Sequence, residues 1–314
     1  MSLLSVVIPV YFNEESLPIL YEGLDKVSQD LKRVSFEFIF VDDGSGDKSF
    51  DVLKKLLESD NRIRIVKLSR NFGSFVACLA GLSYAKGDCA AIIAADLQDP
   101  PELLIRFYEK WEGGSKIVCA GRESREDNKI KIFFSKIYYY LLKLIAIKEM
   151  PSGGFDSVLI DRKVIDVLVN VKEKNTSLMG QILWTGFNSD IIYYCKKERK
   201  HGKSMWTLSK KIKYFIDSFL AFSYLPIRAI SLLGIVFAFL AFIFGIYIII
   251  QKIFFSVPVQ GFTTLTVVIL FTAGIQMIML GVVGEYLWRN LDETRKRPIF
   301  IVDEIFGFNK NLTD

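Results

Sequence analysis

Histidine and cysteine are scarce in this 314-residue chain, which has one of the former, His201, and four of the latter. With one histidine there is no His-rich metal centre, and a catalytic serine–histidine pair would have to use His201. The cysteines Cys78, Cys89, Cys119 and Cys195 stand far apart with no C-x-x-C pair, which argues against a zinc site and fits scattered thiols in a reducing compartment. Any metal should therefore be held by oxygen ligands. The N-terminus, MSLLSVVIPVYFNEE, lacks a basic leader and a cleavage site, so no signal peptide is expected. Internal repeats and low-complexity tracts are missing too. Net charge is only +5, and the main basic run adjoins an apolar stretch, so nucleic-acid binding is not expected.

What the chain does have is apolar length. Hydrophobic residues make up 51% and mean hydropathy is +0.30, too apolar for an ordinary soluble enzyme and too polar for a bundle of membrane spans. Residues 229–250 and 262–284 carry no charge, and about 22 residues at about 1.5 Å each cross roughly 33 Å, enough for the hydrocarbon core. The loop 251–261 contains only Lys252, whereas Arg228, Arg289, Arg295, Lys296 and Arg297 flank the outer ends. That asymmetry predicts a hairpin with both termini cytoplasmic. The expected organisation is a cytoplasmic catalytic domain (1–200), a basic juxtamembrane segment (201–226), a transmembrane hairpin (227–288) and a cytoplasmic tail (289–314). The expected location is the inner (plasma) membrane. Gly234, Gly245, Gly274, Gly281 and Gly284 permit close helix packing, within the hairpin or between copies of a homo-oligomer.

The first 125 residues alternate β-rich runs with amphipathic stretches. Runs at 4–9, 36–43, 62–68, 89–96 and 115–121 predict a parallel α/β sheet, and Pro100-Pro101 predicts a turn into a helix over 102–112. Each of the first four runs ends in polar residues: Tyr11 and Asn13, Asp42 and Asp43, Ser69 to Asn71, Asp96 and Gln98. Ligands of such sheets collect at these carboxyl ends. Further on, 127–147 is basic and aromatic, suited to a headgroup layer or to an ordinary amphipathic core helix. Residues 196–213 hold eight Lys or Arg against one Glu just before the first apolar run, a composition that attracts anionic headgroups or phosphate.

Asp42-Asp43-Gly44-Ser45 alone reads more readily as a turn than as a site. Asp96-Leu97-Gln98-Asp99-Pro100-Pro101 says more, because a buried run delivers a carboxylate and an amide oxygen two positions apart, a donor set for Mg²⁺ or Mn²⁺ bridging a diphosphate.

These segments, with Val7-Ile8-Pro9-Val10-Tyr11-Phe12-Asn13-Glu14, Leu68-Ser69-Arg70-Asn71-Phe72-Gly73, Leu159-Ile160-Asp161-Arg162, Glu198-Arg199-Lys200-His201-Gly202-Lys203-Ser204 and Gly284-Glu285-Tyr286, resemble family 2 glycosyltransferases of the Rossmann-like GT-A fold. The polyprenyl-phosphate branch, which includes bactoprenol glucosyltransferases and dolichyl-phosphate mannose synthases, is the nearest likeness. The resemblance implies nucleotide-sugar contacts by Pro9, Tyr11, Asn13, Glu14, Asp42, Asp43, Arg70, Asn71 and Ala95, and metal and diphosphate contacts by Asp96 and Gln98. It implies acceptor-phosphate contacts by Arg122, Lys131, Ser135, Arg199 and Lys203. Asp156 would position the attacking phosphate or stabilise charge at the sugar; a helix cap is its alternative role. Many relatives carry Asp-x-Asp where this chain has Ala94-Ala95-Asp96, so the metal would lean on the donor's own oxygens.

The expected reaction is transfer of glucose from UDP-glucose to undecaprenyl phosphate. Mannose from GDP-mannose or an amino sugar from a UDP donor are alternatives. A processive synthase fits poorly, because Gln181-Ile182-Leu183-Trp184 stands where those enzymes carry Gln-x-x-Arg-Trp and the chain has a single hairpin. A non-catalytic nucleotide-binding scaffold is the reading from another class, motivated by Ala94.

Overall fold

The computed structural model describes residues 1–122, 154–171, 173–196, 220–255 and 261–308, with isolated positions at 139, 140, 142–144, 147, 150, 151, 214 and 216–218. The segment 127–147 and the basic run 196–213 thus lie largely outside the described residues. Two units form: Met1–Ala221 with Pro298–Asp314, and Phe222–Arg297.

In the first unit, β1 (Ser2–Val10), α1 (Leu17–Asp30), β2 (Val34–Asp42), α2 (Ser49–Ser59), β3 (Ile63–Leu68), α3 (Ser74–Tyr84), β4 (Cys89–Ile92), α4 (Leu103–Glu112) and β5 (Ile117–Arg122) alternate strictly. They are followed by β6 (Phe155–Asp161), α5 (Arg162–Asn170), α6 (Leu178–Trp184) and β7 (Ser189–Tyr194). The second unit contains α7 (Leu225–Phe255) and α8 (Phe262–Thr294), after which β8 (Val302–Phe306) rejoins the first.

Side-chain alternation explains why β1 and β2 are apolar throughout. Leu4, Val6, Ile8 and Val10 share a core with Phe36, Phe38 and Phe40, with Leu17, Leu20 and Leu24 of α1, and with Leu104 and Phe107 of α4. Val7 and Val41 point to the opposite face, where α3 lies so close that a Cβ on Gly81 would come within 2.3 Å of Val7 Cγ1 and 3.0 Å of Val41 Cγ2. Burial on both faces is the rule for parallel strands with helical crossovers.

Strand order is β7-β5-β6-β4-β1-β2-β3-β8. The four N-terminal strands are parallel, as the sequence predicts, but the sheet as a whole is mixed: β6 runs antiparallel to both β4 and β5, and β8 antiparallel to β3. Alternating β-rich and helical runs reveal crossovers among β1 to β4, but they carry no sign of the direction in which later strands insert. β8 falls in the expected C-terminal tail. Lys67 binds Asp303 and Glu304 at 2.7 Å each, the Ile301 carbonyl accepts from Ser69 N at 3.0 Å, and the rings of Phe50 and Phe306 pack at 5.9 Å.

α7 and α8 have 31 and 33 residues, and at about 1.5 Å per residue each exceeds the roughly 30 Å hydrocarbon core. Leu232, Ile235, Phe239, Phe242, Val267, Phe271 and Ile278 are largely exposed, so both helices are long and apolar enough to cross a membrane.

Asp161 closes β6 and caps α5, accepting from Lys163 N at 3.1 Å. Trp111 Nε1 and Lys116 Nζ each donate to its other oxygen at 2.8 Å. Burial pushes its pKa up, but these partners outweigh burial and hold the carboxyl below its usual range. Asp161→Ala should lower the thermal unfolding midpoint of the detergent-solubilised protein by the equivalent of about 2 kcal/mol at neutral pH. A depressed folded pKa contributes stability above the unfolded value that is lost as pH falls through the folded one. The difference between wild type and variant should therefore shrink below about pH 4.

Candidate active site

Strand order reverses direction at β1, whose neighbours are β2 on one side and β4 on the other. The loops leaving β1 and β4 both run toward the face shared by α1 and α4 and lie side by side at the carboxyl edge. Ser16 joins them. Its hydroxyl donates to the Ala95 carbonyl at 2.7 Å, and the same side chain makes no cap bond to α1, which starts instead with Pro18 in its first turn. Asn13 fixes the β1 side: its Oδ1 accepts from Tyr11 N at 2.9 Å, and its own N–H donates to Ser49 Oγ at 2.8 Å. Glu14 accepts from Lys48 N at 2.8 Å, and Phe12 N donates to Ser45 Oγ at 3.3 Å. The loop after β1 is thereby tied to the one after β2.

Asp42 and Asp43, at the end of β2, are 1% and 2% exposed. Asp43 uses both oxygens to hold the loop after β3, accepting from Phe72 N at 2.7 Å and Gly73 N at 2.9 Å, while Asp42 accepts from Ser45 N at 3.2 Å. Burial pushes both carboxyls above the usual range, and these bonds pull the other way. Arg70 and Asn71 are exposed at the tip of that loop, with the Arg70 guanidinium 4.2 Å from the Phe72 ring.

Pro9 lies in β1 opposite Val41. Ala95 is buried, and Asp96 and Gln98 are partly so; Leu97 between them has φ +59, and Gln98 N donates to Asp96 Oδ1 at 3.2 Å. Phe12, with φ +57, gives the carboxyl edge a second non-glycine residue in the left-handed region, and Phe12 remains 44% exposed. Such conformations cluster where surrounding structure enforces a functional geometry.

Asp156 reaches this edge because β6 is reversed. Ile92 pairs with Val158, so Asp156 stands at the start of its strand beside the end of β4. Asp161, five residues on, is the helix cap, which removes capping as the role of Asp156. Arg122 ends β5 at the same edge. Lys131, Ser135, Arg199 and Lys203 lie outside the described residues.

Four contributors were missed by sequence reasoning: Ser16, Ser49, Asp99 and Lys196. Asp99 is fully buried and accepts from Ser157 Oγ at 2.6 Å and from the Tyr194 hydroxyl, while Lys196 Nζ sits 2.5 Å from Asp156 Oδ2 and 3.8 Å from Asp99 Oδ1. The hint for Asp99 was its place within the Asp96–Pro101 segment; Lys196 was hidden as the first member of a basic run.

Gly44, with φ +71, could not carry a side chain without placing Cβ 2.7 Å from the Arg70 carbonyl carbon and 2.8 Å from Asn71 N. Gly44→Ala should cost about 1–3 kcal/mol and speed hydrogen exchange at Phe72 and Gly73. Gly73→Ala, where a Cβ meets nothing within 4 Å at φ +98, should show the backbone cost without displacing its neighbours.

The profile of glycosyl transferase family 2 matches residues 5–168. Relatives extend along nearly the whole chain. A protein named uncharacterized glycosyltransferase from Synechocystis is 37% identical over 306 residues, covering 97% of this chain and 96% of its own. Another so named, YkcC of Bacillus subtilis, is 36% identical over 313 residues, covering 98% and 96%. The prophage bactoprenol glucosyl transferase homolog of Escherichia coli is 35% identical over 303 residues, covering 96% and 99%. The chain belongs to glycosyl transferase family 2: it is a glycosyltransferase with a GT-A-like α/β fold.

Proposed function

We propose that this glycosyltransferase moves a hexose, glucose from UDP-glucose, onto undecaprenyl phosphate at the cytoplasmic face of the membrane, inverting the anomeric centre. The observation that carries the reading is the meeting of Asp156 with the ends of β1, β2 and β4 at one edge, in a chain that continues into two apolar helices. The E. coli relative named for bactoprenol glucosyl transfer supports the acceptor and the sugar.

The loops after β1, β2 and β3 form the donor side, where Asp42 and Asp43 hold their shape around the base and ribose, with Pro9, Tyr11, Asn13, Glu14, Arg70, Asn71 and Ala95 alongside. Asp96 and Gln98 are hard oxygen donors just beyond β4, a set that fits Mg²⁺ or Mn²⁺ shared with the diphosphate. A bound cation would offset charge on the leaving diphosphate. Asp156 faces the sugar carbon, where it steadies the attacking phosphate oxygen or the positive charge that develops during displacement. The phosphate oxygen is already ionised at neutral pH and needs little help from a base. Arg122, Lys131, Ser135, Arg199 and Lys203 offset the repulsion between two anionic substrates.

Membrane topology has support beyond charge placement. The chain leaves the first unit at residue 222 and rejoins it at 298, where β8 pairs with β3. A segment that starts and ends in one folded unit crosses a bilayer an even number of times, which favours a hairpin with the catalytic domain and both termini on one side. Arg228, Arg289, Arg295, Lys296 and Arg297 favour the cytoplasmic side.

Purified protein given radiolabelled UDP-glucose, undecaprenyl phosphate and Mn²⁺ should form an acid-labile lipid-linked glucose. Absence of lipid product with every nucleotide sugar tested would overturn the transferase-to-lipid reading, and product from GDP-mannose or an amino-sugar donor instead would correct the sugar. Asp156→Asn should lower kcat by about 100-fold with little change in donor KM; full turnover would remove Asp156 from the mechanism.

A further inference from the structure

Asp99 presents a puzzle that the donor site does not answer. It is a carboxylate with no exposed surface, placed three residues beyond Asp96 and one beyond Gln98. Burying an ionised group is costly unless it is hydrogen-bonded and paired. The structure supplies both. Ser157 of β6 donates to one oxygen at 2.6 Å, the hydroxyl of Tyr194 at the end of β7 donates to the other, and Lys196 Nζ lies 3.8 Å from it. Lys196 does not stop there: its ammonium is 2.5 Å from Asp156 Oδ2, with the lysine side chain only 17% exposed.

The contacts form a closed ring. Asp99 holds Ser157, the chain neighbour of Asp156; it also holds Tyr194, two residues before Lys196; and Lys196 grips Asp156. Three segments that are remote in sequence, the 96–101 loop, the start of β6 and the end of β7, are locked to one another at the carboxyl edge. Lys196 is poorly placed as a free phosphate ligand, because its charge is already engaged by two carboxylates, one of them inaccessible. Its geometry suits holding Asp156 at a fixed direction and distance from the loop that carries Asp96 and Gln98.

We propose that Lys196 and Asp99 are positioning residues, through which the Asp96–Gln98 loop and the Asp156 carboxylate are held as one rigid element. The proposal rests on the transferase reading above for its kinetic consequence, but its structural content stands apart from it. Displacement of a reacting group by an ångström is enough to cost about 100-fold in rate, while the donor contacts on β1 and β2 are made by other residues. Loss of Lys196 should therefore strike turnover and spare donor binding.

The test uses the full chain in detergent with Lys196→Met, Lys196→Arg, Asp99→Asn and the Lys196→Met/Asp99→Asn double variant, each normalised to folded protein by thermal unfolding. Lys196→Met should lower kcat at least about 10-fold with donor KM within about 2-fold of wild type, and Lys196→Arg should recover most of the loss. The double variant should be no slower than the worse single, since both act through one contact. Wild-type kcat in Lys196→Met, a rise confined to acceptor KM, or multiplying losses in the double variant would overturn the proposal. Hydrogen exchange on the same samples separates its failure from that of the transferase reading. If wild type transfers no sugar, the transferase reading falls, and faster exchange at Asp96–Asp99 and Asp156–Ser157 in Lys196→Met still supports the coupling. Unchanged exchange there overturns it.

Discussion

Strands β1, β2 and β4 are covered on both faces, so a polar side chain along their length must either find a buried partner or be desolvated at a cost of a few kcal/mol. Ser5 and Glu37 show the first solution: the serine hydroxyl donates to the carboxylate at 2.5 Å, and Lys86 N donates to the same oxygen at 2.7 Å. Elsewhere the polar groups are driven to the strand ends, and because the strands are parallel those ends share one edge. Asp42, Asp43, Asn13 and Asp96 occupy that edge for this reason. The neighbouring places of β1 and β4 in the strand order bring their following loops together, with Ser16 tied to Ala95.

An edge rich in carboxylates is electrostatically unfavourable unless each charge is answered. Asp43 is answered by two backbone amides, Asp42 by the Ser45 amide and Asp156 by Lys196. The same bonds that stabilise these charges shape the loops, since every donor to Asp43 belongs to the turn after β3. Loop conformation and charge neutralisation are one set of contacts.

In chain order, the two apolar helices are inserted between two parts of one sheet. β8 returns after α8 to pair with β3, and Lys67 binds two consecutive carboxylates on it. Ser69, at the root of the Arg70-Asn71 loop, donates to the Ile301 carbonyl at 3.0 Å. The chain that leaves the second apolar helix thus supports a loop of the candidate donor site directly, and β3 gains a paired neighbour on its outer side.

Much of this was legible in residue order. Alternation of apolar runs with amphipathic stretches gave β1 to β5 and the helices between them, because local periodicity reports burial on one face or two. Polar endings of the first four runs marked the edge, and span length with charge placement marked the apolar helices. The direction of β6, the return of β8 and the partners of Asp99 were not legible. Each depends on contacts between residues far apart in the chain, such as the 40-residue separation of Asp156 and Lys196. The sequence by itself determined which side chains are available and that the N-terminal strands run in parallel. Tertiary structure alone decided that Asp156 stands beside the end of β4, since only the antiparallel insertion of β6 brings the start of that strand, rather than its end, to the carboxyl edge.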